Sequence, residues 1–335
     1  MKHKVSITLI LLSMFLATQL IGISILNSYA PTITEFYNET AGENQIEVDK
    51  PQLPFGLEYE EENQETPHFL SIIFAMIFAV IIFSVLMKYN LKSIIKIWFL
   101  LVIIISLGIT LYPLLSKYFD YASLIAIIIA LPLAFFKIIK PNLYVHNLTE
   151  LFIYPGIAVV IVSVIFSPSN SIASIWFMVL LLLLISFYDA WAVWKSGIMQ
   201  KMAKYQMETL HIFGGFLLPS LDKKERAKIK KIKEKYKNTE LPKAIKSKKF
   251  KVNLAILGGG DVIFPIITAG VFMWSFPEQI LFGIRGLIPA LFIIGGALAG
   301  LTYLFVNTQK GKAYPAMPYI TTGIFLALGI WKFFF

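Results

Sequence analysis

The sequence predicts an all-α, polytopic membrane protein with nine transmembrane helices, and three observations carry that reading. Of 335 residues, 57% are hydrophobic and only 15% charged, with a mean hydropathy of +0.71; a soluble domain of this length needs far more charge to cover its surface. Apolar runs of roughly 18 to 25 residues recur along the chain, too long for barrel strands and long enough for helices that satisfy their own backbone hydrogen bonds in lipid. Lysine and arginine, finally, fall almost entirely on one side of these runs.

The runs are, in order, 5–26, 68–87, 94–115, 119–139, 149–167, 171–195, 252–275, 279–305 and 313–335. The first follows Lys2 and Lys4, and the second ends at Lys88. The third is flanked by Lys92 and Lys96 at its start and Lys117 at its end, and the fourth closes on Lys137 and Lys140. The fifth opens near Glu150, the sixth ends at Lys195 and the seventh begins after Lys251. Arg285 lies in the outer part of the eighth, and the ninth follows Lys310 and Lys312. Most breaks are short and hydrophilic or contain proline. Starting with the N-terminus inside, this alternation leaves only Lys50, Lys117, Lys332 and the Arg285 region on the opposite side, which places the N-terminus in the cytoplasm and the C-terminus outside.

The first run has a second reading. Lys2, Lys4, an apolar stretch and Ser28-Tyr29-Ala30 have the form of a secretory signal with a small-residue cleavage site, but the run is longer than a usual signal core, which favours a retained span. The chain then divides into residues 1–197, six helices with an acidic external loop at 27–67; residues 198–251, a basic cytoplasmic loop; and residues 252–335, three further helices. The external loop carries ten acidic residues against one lysine. It includes the glycosylation sequon Asn38-Glu39-Thr40.

The net charge of +10 is concentrated at Asp222–Lys251. A solvated cytoplasmic loop near anionic headgroups accounts for it without a nucleic-acid partner. Met199–Leu218 is expected to lie along the membrane interface. There is no cysteine, which excludes disulfides, thiolate metal sites and a cysteine nucleophile. His3, His68, His146 and His211 are scattered and form no metal site. Gly296 and Gly300 read as a helix-packing pair.

Only Asp189 and Asp261 are acidic residues well inside the runs; Asp120, Glu150 and Glu278 sit at their ends. Intramembrane charges cost several kcal/mol and mark function by default. Asp189 lies about six residues, roughly 9 Å, from the inner end of its run, and Asp261 about ten residues, roughly 15 Å, from that same side. Two carboxylates facing each other in a low-dielectric site share a proton, which suits general acid–base hydrolysis of a peptide bond. Depth alone leaves three readings open: a protease, an ion- or proton-coupled transporter or channel, and a structural polar pair. A transporter favours an internal repeat of broken helices, and Gly258–Asp261 has no counterpart in the first six spans.

The neighbours of the two aspartates narrow the choice. Asp189 follows Tyr188, Asp261 closes Gly258-Gly259-Gly260-Asp261, and Tyr314-Pro315-Ala316-Met317-Pro318 opens the ninth span. The glycines let another backbone approach, and the prolines leave backbone groups unpaired where the last span begins, free to bind an extended substrate. These residues resemble the presenilin and signal peptide peptidase family of intramembrane aspartyl proteases, whose pattern is Tyr-Asp in the sixth span, Gly-x-Gly-Asp in the seventh and Pro-Ala-Leu at the ninth.

The resemblance covers the whole chain and implies a GxGD-type aspartic endopeptidase without metal or organic cofactor, a multi-pass protein of the cell membrane whose partners are the transmembrane helices of its substrates. A homo-oligomer stays open. On the same ground Asp189 and Asp261 are the catalytic pair, Tyr188, Gly258 and Gly260 support them, and Pro315, Ala316 and Met317 shape the substrate site. Met317 departs from the family's leucine, though the two are close in volume. The surroundings of Asp261 look more like the signal peptide peptidase branch, while the inferred orientation is that of presenilins. A prepilin-type peptidase also uses Gly-x-Gly-Asp, but those enzymes are smaller and lack the ninth-span Pro-Ala.

Overall fold

The computed structural model describes residues 5–38, 43–49, 54–56, 69–139, 142–196, 205–206, 210, 212–221, 252–308 and 314–335. Among them are nine α-helices: α1 Val5–Ser28, α2 Phe69–Lys88, α3 Lys92–Leu115, α4 Ala122–Ile138, α5 Leu143–Ile165, α6 Ser171–Trp191, α7 Gly259–Ser275, α8 Leu287–Asn307 and α9 Met317–Phe334. Each overlaps one of the apolar runs, in order. By length and hydropathy six of them (α1, α3, α5, α6 extended to Lys195, α8 and α9) suffice to cross a membrane. Helices α4 and α7, at 17 residues each, are shorter apolar helices.

The all-α expectation needs correction, because two antiparallel strand pairs are present. β1 Thr32–Asn38 pairs with β2 Glu43–Asp49 inside the acidic loop, where β-branched and aromatic residues recur. β3 Gly215–Leu221 pairs with β4 Val252–Gly258. Residues 215–218, the end of the stretch expected along the interface, form a strand, and this second pair overturns one expectation, since the seventh span does not begin as helix at 252. The physical reason lies in Val252-Asn253-Leu254-Ala255-Ile256-Leu257 running into three glycines, the poorest helix formers after proline. Gly258 stays extended (φ −64°, ψ 145°) and α7 starts only at Gly259. Residues 199–204 and the basic run 222–251 lie outside the described residues.

One large core joins α1, α5, α6, α7, α8 and α9, and a smaller one joins α3, α4 and α5. Helix α1 packs deep within the first: Phe15 and Leu26 are fully buried. The Gln19 amide donates to the Val262 carbonyl of α7 at 2.9 Å, and the Trp274 indole donates to the Leu26 carbonyl at 3.2 Å. The pairing of α8 with α9 follows the small-residue reading. A side-chain carbon at Gly296 would lie 2.3 Å from the Gly323 carbonyl oxygen, and one at Gly300 2.2 Å from that of Tyr319, so the backbones meet where only glycine fits. Phe74, Trp98, Trp176, Phe187 and Phe333 point outward, as side chains facing lipid do.

Candidate active site

Asp189 is set by the C-terminal end of α6. That helix starts at an Asn170 cap, whose side-chain oxygen accepts the Ala173 N–H, and runs to Trp191 before widening into a π-type turn at Ala192–Ser196. Asp189 is buried. Its carboxylate accepts the backbone N–H of Met317 at 3.1 Å and that of Ala316. These donors are free for it because they open α9, and the first N–H groups of a helix have no intrahelical partner. One turn before Asp189, the Ser186 hydroxyl shares a hydrogen bond of 2.7 Å with Thr321, pinning α6 to the first turns of α9.

Asp261 is the third residue of α7, in its first turn. Its carboxylate accepts the backbone N–H of Gly258, the reach-back from the third helical position to the N-cap that makes one half of a capping box. It also lies within electrostatic range of Asp189. Three helix ends therefore converge: the end of α6 and the starts of α7 and α9. The two carboxylates and the free backbone donors meet there, and β4 leads directly into the site.

The β3–β4 pair has one closed and one open edge. On β3, the Asn147 side chain of α5 accepts the Leu217 N–H at 3.0 Å and donates to the Leu217 carbonyl at 2.8 Å. His146 Nε2 lies 2.8 Å from the Gly215 carbonyl oxygen. Leu217 opposes Ile256. Since Leu217 directs both backbone groups away from β4, the alternation of an antiparallel ladder directs those of Ile256 away from β3. Ile256, 36% exposed, thus presents a strand edge five residues before Asp261 that no other strand among the described residues pairs.

The remaining expected residues divide. Gly258 touches the site, since a side-chain carbon there would stand 3.2 Å from Asp261 Oδ2, and Gly260 has open space with only Phe264 at 3.9 Å. Pro315 is buried and precedes the two donors to Asp189. Tyr188 is 45% exposed, and its ring leans on Trp191 at 6.3 Å between centroids. Sequence reasoning missed Ser186 and Thr321, although Ser186 stands three residues before Asp189 and Thr321 four after Met317, both helical spacings. It also missed Gly259, where a side-chain carbon would meet the Tyr154 hydroxyl at 2.7 Å. Among the described residues no group of three His, Cys, Asp or Glu is placed to hold a metal ion.

Comparison with known proteins gives one family match. The family described as signal-peptide peptidase, presenilin aspartyl protease matches residues 53–333. Two solved structures of a presenilin family intramembrane aspartate protease, in P2 and C222 crystal forms, share the fold. The first has a TM-score of 0.54 at 17% identity, covering 96% of this chain and 95% of its own. The second has a TM-score of 0.52 at 16% identity, covering 96% and 94%. No curated protein matches the chain.

Proposed function

The chain belongs to the signal-peptide peptidase and presenilin aspartyl protease family, so it is a multi-pass membrane protease of aspartic type, and we propose that Asp189 and Asp261 are its catalytic pair. The observation that carries this is the convergence of three helix ends on two carboxylates within electrostatic range of each other. In the proposed reaction one carboxylate is ionised and the other protonated. The ionised one takes a proton from water as its oxygen attacks the scissile carbonyl carbon. The protonated one gives its proton to the amide nitrogen as the carbon–nitrogen bond breaks. The backbone N–H groups of Ala316 and Met317 hold Asp189 in place through this exchange.

A peptide bond inside a helix is shielded by its own turn, so substrate must be extended near the scissile bond. The open edge of β4 fits that requirement: an added strand would hydrogen-bond Ile256 and be led toward Asp261. The glycines at 258 and 260 carry the GxGD arrangement, and Pro315, Ala316 and Met317 shape the wall opposite. The same proposal reads the nine helices as nine crossings of the cell membrane, with the N-terminus cytoplasmic, the C-terminus external and residues 198–251 a cytoplasmic connection between residues 1–197 and 252–335. Self-association is open within it.

The test is incubation of the purified chain in liposomes with several single-span substrates, comparing the unmutated protein with Asp189→Ala and Asp261→Ala. Fragments cut within the span are expected from the first and none from the variants. Substantial proteolysis surviving either substitution refutes the pair.

A further inference from the structure

A second polar cluster lies behind the aspartates, inside the bundle. Lys137 near the end of α4 forms an ion pair with Glu150 of α5, and both are almost fully buried, at 5% and 2% exposure. The lysine also donates to the Thr149 hydroxyl at 3.3 Å, and His146 Nε2 stands 3.7 Å from Glu150 Oε1. Burying two charges costs desolvation that their attraction seldom exceeds, so such a pair is weak support for stability and calls for another role.

Tyr154 connects this cluster to α7. It follows Glu150 by four residues and so occupies the same face of α5. Its ring is held edge-on against Phe216 of β3 at 6.0 Å between centroids. Its hydroxyl abuts the α-carbon of Gly259, where any side chain would collide with it at 2.7 Å. The hydroxyl is buried and has no hydrogen-bond partner among the described residues. Glu150 is nevertheless within side-chain hydrogen-bond reach of it, short of ordinary bond geometry, and Asp261 is within electrostatic range. A buried hydroxyl without a partner is rare and asks for an explanation. Catalytic hydrogen bonds are often long in the free enzyme and tighten only when substrate is bound.

We propose that Tyr154 is a positioning residue for Asp261, its hydroxyl joining that carboxylate to the buried Glu150–Lys137 pair when substrate is engaged. The inference rests on the reading of Asp261 as catalytic. In this arrangement Lys137 holds Glu150, Glu150 orients the Tyr154 hydroxyl, and the hydroxyl steadies Asp261 from the side away from the β4 edge. Gly259 supplies the room, which gives the middle position of Gly258-Gly259-Gly260 a function of its own. The titratable groups facing Tyr154 are Glu150 and His146 on its own helix, Lys137 on α4 and Asp261 on α7, with Asp189 on α6 beyond.

The experiment measures kcat, KM, thermal stability and the pH profile of kcat for the full chain in liposomes with one single-span substrate. Tyr154→Phe removes only the hydroxyl and keeps the ring packing. It should lower kcat about tenfold with KM within about twofold, leave the melting temperature unchanged and displace the acid limb of the pH profile. Tyr154→Phe combined with Glu150→Gln should be no slower than the slower single variant, because the two act through one chain of contacts. A Tyr154→Phe enzyme with unmutated kcat and pH profile overturns the proposal, as do effects that simply multiply. If Tyr154→Phe does not fold, 3,5-difluorotyrosine at position 154 keeps the ring and hydroxyl but acidifies the phenol. It must then displace the pH profile, and an unmoved profile overturns the proposal. An Asp261→Asn control separates the two levels. Activity surviving in it sinks the catalytic assignment itself, whereas its loss beside an unaffected Tyr154→Phe sinks only the role of Tyr154.

Discussion

Asp189 owes its setting to two prolines that it never touches through a hydrogen bond. Pro315 and Pro318 cannot donate from their nitrogens; Tyr314 and Pro315 stay outside the helix, Ala316 caps it with backbone angles already helical (φ −91°, ψ −34°), and α9 opens at Met317 with Pro318 in its first turn. Its first N–H groups are then available to the carboxylate. Pro315→Ala restores a donor and lets the helix extend backward, turning the Met317 N–H toward a carbonyl one turn earlier. Cleavage should fall about tenfold or more, with the melting temperature shifted by no more than about 3 °C, as a proteoliposome assay beside a thermal scan would show. Met317→Leu leaves that backbone contact alone and nearly conserves buried volume, so activity should stay within about threefold of the unmutated enzyme. A collapse of activity in Met317→Leu would mean that the side chain, not the backbone, serves the site. The aspartates and the Pro-Ala-Met turn were legible in the sequence because intramembrane charge and helix-breaking proline are local signals. Tyr154 was not, since a tyrosine four residues after a glutamate at a span edge looks like ordinary packing until the hydroxyl is seen against Gly259.

At the scale of elements, the strand β4 is where sequence and structure part. An apolar run longer than twenty residues reads as one span, and hydropathy cannot tell seven residues of strand followed by a 17-residue helix from a continuous helix. The distinction came from pairing with β3, which residues 222–251, a run whose composition announces only charge, separate from β4. The extended segment brings the polypeptide to Asp261 with an edge that no strand among the described residues pairs, which a helix could not do. Ile256→Pro tests that use of the edge. Proline removes the outward N–H at 256 yet leaves the ladder to β3 intact, because Ile256 and Leu217 exchange no hydrogen bond. KM should rise about tenfold with a smaller change in kcat and little change in melting temperature. An unchanged KM would exclude the β4 edge from substrate binding.

For the whole molecule, each of the nine apolar runs overlaps, in order, one of the nine helices named among the described residues, and the glycine pair of α8 found its partner backbone in α9. Crossing direction is read from lysine placement alone, and the absence of cysteine from the sequence makes it easy to test. Single substitutions Glu61→Cys and Lys235→Cys, labelled in sealed cells with an impermeant thiol reagent, should react from outside and only after permeabilisation, respectively; the reverse pattern would invert the orientation. The central claim is that the chain folds to bring one carboxylate from α6 and one from α7 into a single hydrolytic site. Its most direct measurement is the rate at which purified Asp189→Asn and Asp261→Asn, each nearly isosteric and each checked for unaltered melting temperature, cut a single-span substrate in liposomes. Each variant should lose about a thousandfold or more of the rate, and the double variant should lose no more than either alone, since the pair acts as a unit. A folded single variant that keeps even a tenth of the unmutated rate would contradict it.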